Sequence, residues 1–308
     1  MYQYRRMIAA VNLNENDAVL VHEAAAFAEL AGTEKISYVH VLELQEIPAK
    51  IKKEYPQLVS PFREMAEEKI KKTVVEYSGR KSGFDCLIKE GRVIKVLLEE
   101  VKSQDADIVV IGRNYSNKRS HKKRAENIAR KAPCSVYIVP AGSRKEKIKK
   151  ILVASDGSNH AKLALEEALQ LAKKLSLKEV HCVHVYHVPM GFHSTGKSYE
   201  EFADIMLNNA KADHAELLEG INSDGIKIIP DFQLNDSIES GILKAVEIGN
   251  ADLLVVGARG RSTGASVLLG SVTEHLIGNV NIPLLAVKNK AAGVAFFDAL
   301  LNVLMLNE

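Results

Sequence analysis

Cysteine is scarce in this chain: three residues in 308, Cys86, Cys134 and Cys182, far apart and without CxxC spacing. An odd number so dispersed argues against a disulfide framework and against a zinc site, and a reducing cytoplasm is the expected setting. Long apolar runs are missing too. No stretch reaches the length that spans a bilayer, and the N-terminal MYQYRRMIAAVNLNEN has too short an apolar run for a secretory signal, so a soluble protein is expected. An excess of one charge is also lacking: 41 Lys and Arg against 39 Asp and Glu leave +2, no global argument for nucleic acid or membrane. Aromatic residues make up 6% and tryptophan is absent. The one basic cluster (Arg113, Lys118, Arg119, Lys122, Lys123, Arg124, Arg130 and Lys131) therefore has little aromatic interleaving, and it reads as a solvated face ahead of a nucleic-acid surface.

What is present is an ordinary globular composition, 46% hydrophobic and 26% charged, on a chain long enough for two domain-sized cores. The chain also repeats itself. Val39-His40-Val41 recurs as Val183-His184-Val185, and Asn12 stands where Asp156 stands, both 144 positions earlier. Ala106 to Gly112 (ADIVVIG) recurs as Ala251 to Gly257 (ADLLVVG), 145 positions on. A period this long means tandem domains and not a solenoid. We divide the chain into residues 1–140, a polar linker 141–149, a second domain 150–290, and an apolar C-terminal helix 291–308.

Short apolar runs alternate with longer stretches of helical period in each half, which argues for βαβ units and a mainly parallel sheet. In the second half, strands are expected at Lys150 to Ala154, Val180 to Tyr186, Ile226 to Phe232, Leu253 to Val256 and Pro283 to Val287. Helices are expected from about Asn159 to Leu175, with Ser158 as N-cap, from Tyr199 to Leu218, and from about Ser271 to Ile277. Asp236 followed by Glu239 resembles a capping box opening another helix. The fold class is thus α/β: two tandem doubly wound domains, each a five-stranded, mainly parallel sheet with helices on both faces.

The stretch Leu253 to Ser271, LLVVGARGRSTGASVLLGS, sets a buried-looking strand against a glycine-spaced loop. Glycine has no β-carbon to hold a phosphate off the backbone and can take positive φ, so successive N–H groups can converge. Where such a loop enters a helix, first-turn N–H groups and the helix dipole stabilise negative charge further, and the hydroxyl of Ser271 can add a donor.

Gly257, Gly260, Gly270 and Ser271, spaced Gly, two residues, Gly, nine residues, Gly-Ser, resemble the nucleotide loop of the universal stress protein family, and Val272 and Thr273 resemble its ATP-binding members. Ile151 to Ser158 (ILVASDGS) resembles the family's first strand, with Asp156 in the place of its aspartate, and Cys182 to Val185 (CVHV) its second. The likeness covers residues 148–288, with a weaker copy over 4–140. It implies the universal-stress-protein fold, which is like that of the adenine nucleotide α-hydrolases, with strands one and four side by side and ATP in the crevice at their carboxyl ends. It also implies that Asp156 and the backbone at Ala154 and Val185 hold adenine and ribose, with Gly257, Arg259, Gly260, Gly270, Ser271, Val272 and Thr273 around the phosphates and Mg2+ accompanying them. Arg259 reads either as a phosphate partner or as a solvated loop residue, and Asp156 alternatively as a turn former before Gly157.

The first half departs from this pattern. Asn12 replaces the acidic residue, Tyr115 stands where the second glycine should be, no Gly-Ser follows, and five residues of the loop are missing. No ATP is expected there; since members of the family commonly dimerise through their last strands, the resemblance implies that this half pairs with the second domain, through Cys134 to Val139 and Pro283 to Val287. His181, His184, His187 and His193 invite a metal reading, but strand alternation sets His184 on the face opposite His181 and His187. The tail Val294 to Leu306 (VAFFDALLNVLML) must bury its apolar surface somewhere; docking on this chain or a second subunit is expected ahead of membrane-surface attachment, for which it carries no basic residues, so a homodimer is one expectation. No catalytic constellation is evident: SDGS at Ser155 to Ser158 matches the SGGxDS loop of ATP pyrophosphatases poorly, and no HIGH-type motif is present. The expectation is a stress-response regulator that binds an adenine nucleotide and an unidentified protein partner, with slow ATP hydrolysis at most. The alternatives are an interaction scaffold without nucleotide and a carrier of another small ligand.

Overall fold

In a computed structural model, residues 4–44, 47–113, 119–143, 147–260 and 269–290 are described. The chain forms two units, Met1–Arg144 with Asn289–Glu308, and Lys145–Lys288.

The first unit runs β1 (Arg6–Ala10), α1 (Asp17–Ala31), β2 (Lys35–Leu42), α2 (Ala49–Glu54), a 3-10 turn (Pro56–Leu58), α3 (Ser60–Ser78), β3 (Phe84–Glu90), α4 (Val93–Ser103), β4 (Ile108–Arg113), α5 (Arg119–Lys131) and β5 (Ser135–Pro140). The second runs β6 (Ile151–Ala154), α6 (Asn159–Lys174), β7 (Glu179–Tyr186), a 3-10 turn (Met190–Thr195), α7 (Tyr199–Leu218), β8 (Lys227–Leu234), α8 (Ile238–Gly249), β9 (Leu253–Gly257), α9 (Ser271–Asn279) and β10 (Leu284–Val287).

Strand order is β3-β2-β1-β4-β5 in the first unit and β8-β7-β6-β9-β10 in the second. Neighbouring strands pair in parallel. In each unit the chain steps outward on one side of its first strand and returns to the other side. With right-handed crossovers this puts helices on both faces and opens a crevice between strands one and four. In the second unit those strands are β6 and β9, in register at Ala154 and Val256.

The strands follow the apolar runs because both sheet faces are covered: every residue of β5, β9 and β10 is buried. On α6, Leu165, Ala168, Leu169 and Ala172 face inward at the expected spacing. The Oγ of Ser158 accepts the amide of Ala161 at 3.2 Å, the expected N-cap. The next cap differs from expectation. Ser237, and not Asp236, opens α8, accepting the amide of Ser240 at 3.1 Å while its own amide bonds Asn235 Oδ1. A Ser hydroxyl one residue later reaches the amide three residues on, which the expected Asp-to-Glu register did not allow for.

The repeated Ala-Asp preceding β4 and β9 has a structural role. Asp107 Oδ2 accepts the amide of Arg6 at 2.9 Å, and Asp252 Oδ2 accepts those of Lys149 and Lys150, so each carboxylate ties down the start of the unit's first strand. Cys134 and Cys182 are buried, Cys86 is half-buried, and all three are free thiols. Burial pushes the Cys182 thiol up to about 12 and the Cys86 thiol up to about 11, which leaves both unreactive at neutral pH.

Candidate functional site

The site candidate in the second unit begins where β6 runs out. The amide of Ser155 still bonds Val183 O at 2.9 Å, and Gly157 then turns the chain at φ +75°. Asp156 Oδ1 accepts the amide of Ser158 at 3.0 Å, fixing the carboxylate above the start of α6. The turn-former reading of Asp156 is therefore realised in one of its two oxygens. The other, Oδ2, lies 2.6 Å from the point a β-carbon on Gly260 would occupy.

Gly257 ends β9 directly under the first turn of α6. A β-carbon there would stand 2.7 Å from the carbonyl carbon and oxygen of His160. Glycine is thus required by space at Gly257, where the neighbour is backbone, whereas at Gly260 the neighbour is the end of a side chain that can turn aside. The expectation that the glycines supply positive φ is corrected: none of Gly257, Gly260 and Gly270 has it. At Gly270 an added β-carbon would meet only ordinary contacts, at 3.7 Å. There glycine does something else. It is the N-cap of α9 and supplies no side-chain acceptor, whereas α6, α7 and α8 are each capped by a serine, Ser158, Ser198 and Ser237. Among the described residues no side chain caps the positive end of this helix.

The far side of the loop is anchored. The amide of Gly270 bonds Ala258 O at 2.8 Å, the Oγ1 of buried Thr273 donates to Gly257 O at 2.9 Å, and Leu269 is buried beside them. Ser271 is exposed and Val272 half-buried at the start of α9. The structure therefore brings together Asp156, Gly257, Arg259, Gly260, Gly270, Ser271 and Thr273 around one end of β6 and β9. Ala154 ends β6 beside Val256, and Val185 packs beneath α8, where Gly241 leaves room for its methyl groups. Residues 261–268, the interior of the glycine loop, lie outside the described residues, as do Tyr115, Lys118 and the tail 291–308.

Sequence reasoning missed His160. Burial holds its imidazole below the ordinary value, the nearby Arg259 guanidinium lowers it further, and Asp156 opposes both. Asp156, His160 and Arg259 thus form one electrostatic group. The only sequence signal for it was the four-residue step from Asp156 to His160, which carries no meaning until the turn at Gly157 is known.

The corresponding place in the first unit is built differently. Asp17 is buried and accepts the amide of Asn12 at 3.0 and 3.2 Å and that of Asn14 at 3.3 Å. Lys69 Nζ bonds Leu13 O at 2.7 Å and His40 Nδ1 donates to Val11 O at 2.9 Å. Arg124 pairs with Glu43 at 3.3 Å, and a cavity of about 30 Å³ remains between Asn12, Gly112 and Arg124. The basic cluster is not one face: Arg113 is buried, Arg124 is paired, and Lys123 and Arg130 are exposed. The histidines are also dispersed, with His184 buried, His181 bonded to Glu179 and His193 stacked on Phe192. Among the described residues, no three metal-ligating side chains gather. No described helix is long and apolar enough to cross a membrane.

The sequence pattern of the universal stress protein family matches this chain twice, over residues 3–140 and 147–288. The chain belongs to the universal stress protein family. Universal stress protein MJ0577 of Methanocaldococcus jannaschii is 30% identical over 158 residues, 46% of this chain and 96% of the relative. Universal stress protein MJ0531 of the same organism is 30% identical over 142 residues, 46% of this chain and 82% of its own length. Among solved structures, a universal stress protein from Archaeoglobus fulgidus superposes with TM-score 0.67 at 21% identity, covering 93% of this chain and 99% of the other. That likeness establishes the tandem universal stress protein fold. The single-domain relatives match the chain over one universal stress domain's length.

Proposed function

We propose that this universal stress protein is a regulator that binds ATP in its second unit and uses the bound state to alter its contacts with a partner. The observation that carries this reading is the close approach of Asp156 and Gly260 beside the uncapped start of α9. A carboxylate suits the hydroxyls of ribose, and a loop stripped of β-carbons leading to a helix N-terminus suits a polyphosphate. The residues present fit the nucleotide. Asp156 with the backbone at Ala154 and Val185 would take adenine and ribose; Gly257, Gly260, Gly270, Ser271, Val272 and Thr273 would surround the phosphates. Arg259 would neutralise phosphate charge. Mg2+ would arrive with the nucleotide, and we assign no protein ligand to it.

In the first unit the amides of Asn12 and Asn14 are already bonded to the carboxylate of Asp17. That internal anion and the Arg124–Glu43 pair support a first unit without ATP. Regulation needs no bond-making: a ligand favouring one state stabilises it by mass action and shifts whatever surfaces differ between the states. The test is to denature the purified protein and identify the released small molecules by mass spectrometry, with ATP added to a second sample for thermal unfolding. An adenine nucleotide released, or a rise in Tm with ATP, supports the reading; neither result favours an interaction scaffold.

A further inference from the structure

The first unit carries a row of large apolar side chains that nothing in the nucleotide reading uses. Ile51, Tyr55, Leu58, Phe62 and Met65 are 37%, 44%, 45%, 48% and 59% exposed. They recur at alternating four- and three-residue steps through α2, the following 3-10 turn and the start of α3. The inner face of this segment is already occupied: Val59, Ala66, Ile70 and Val74 are buried, and α3 packs on α1 and β3. The segment is therefore apolar on two faces, with the outer one unpartnered among the described residues.

The charges flanking the outer face differ in balance between its ends. Lys50 and Lys53 stand exposed at its beginning beside a single exposed acid, Glu54, and Glu64 and Glu68 stand exposed at its end. Among the described residues none of Lys50, Lys53, Glu64 and Glu68 has an ion-pair partner, whereas Arg63 and Glu67 are paired, to Glu90 and Lys71. A surface basic at one end and acidic at the other is complementary to itself when turned end for end.

We propose that this face docks on the same face of a second copy of the chain across a two-fold axis, α2 of each copy lying against α3 of the other. An isologous contact satisfies both ends at once, because Lys50 and Lys53 of each copy meet Glu64 and Glu68 of its partner. A parallel arrangement would set like charges together. The five side chains expose on the order of 500 Å² of mostly apolar surface per copy, within the range of patches that mark interaction sites. A standard interface takes about 800 Å² per partner, and the charged flanks supply the remainder. A lipid surface would want basic residues along the whole face, which Glu64 and Glu68 oppose. The apolar tail 294–306 carries a single charge, Asp298, and offers nothing to the charged ends.

The test is the molar mass of the full chain by sedimentation equilibrium, with two charge-reversed variants, Lys50→Glu/Lys53→Glu and Glu64→Lys/Glu68→Lys. All four positions are exposed, so the variants should fold, which circular dichroism checks. We expect a dimer for the unaltered chain, dissociation at least about tenfold easier for each variant alone, and a dimer again in an equimolar mixture of the two, where the reversed ends are complementary. A monomer at concentrations up to on the order of 100 μM overturns the proposal. So does a dimer indifferent to either charge reversal, which places the interface elsewhere. Folded variants that stay monomeric when mixed overturn it as well, and so does a chain that dimerises only once residues 291–308 are deleted, which would make the tail the occupant.

Discussion

The Oδ2 atom of Asp156 stands 2.6 Å from where a β-carbon on Gly260 would lie, so the end of β6 and the loop after β9 meet through a gap that a side chain would close. The atom in the way is the tip of a side chain that can rotate. Gly260→Ala should therefore cost little stability, within about 1 kcal/mol, while displacing the carboxylate from its place above α6. We expect ATP affinity to fall at least about tenfold with Tm nearly unchanged, read by calorimetry and thermal unfolding side by side.

Gly257 is a different case. The atoms 2.7 Å from its missing β-carbon are the backbone carbonyl of His160, which cannot turn aside. Gly257→Ala should push α6 off β9 and destabilise the fold by about 2 kcal/mol or more, measured by urea unfolding. A β-carbon on the matching glycine of the first unit, Gly112, would stand 3.1 Å from the Cδ1 of Leu20, the end of a side chain and not backbone. Gly112→Ala should cost less than half as much.

Glu167 is buried on α6, its Oε2 without a hydrogen-bond partner among the described residues. Burial pushes its carboxyl from 4.5 up to about 7, against the pull of Lys174. A carboxyl with a raised folded pKa binds more protons folded than unfolded, so it withdraws stability as pH rises from its unfolded value through its folded one. Glu167→Gln should gain on the unaltered chain by about 2 kcal/mol between about pH 5 and about pH 8. A pH-independent difference in unfolding free energy would contradict this.

His160 is held below its ordinary value by burial and by Arg259. Phosphates bound beside Arg259 would raise it, so the bound protein takes up a proton and affinity strengthens as pH falls through the window between the free and bound values. His160→Asn should flatten that slope. Calorimetry in two buffers of different ionisation enthalpy measures the uptake directly.

Much of this was legible in advance, for identifiable reasons. β9 and β10 are continuous apolar runs that only a doubly covered strand tolerates, and α6 shows its inner face at three- and four-residue spacing. The pairing of β6 with β9 followed from the topology the resemblance implied. What escaped were relationships between residues distant in sequence. Nothing local marks Asp17 as the anion that fills the loop at Asn12, because the bond depends on the left-handed turn at Leu13, φ +59°. His160 was silent for the same reason. The glycines were read as opening the backbone to a phosphate and as able to take positive φ; what escaped was the close contact that Gly257 makes with His160, since a sequence shows which residue lacks a β-carbon and not what stands beside it.

The most direct measurement is a calorimetric titration of the intact chain and of Gly260→Asp with ATP, the substitution adding bulk and negative charge beside Asp156. We expect about one equivalent bound by the intact chain and none by the folded variant. Two equivalents, or one equivalent that survives the substitution, would contradict a nucleotide site confined to the second unit.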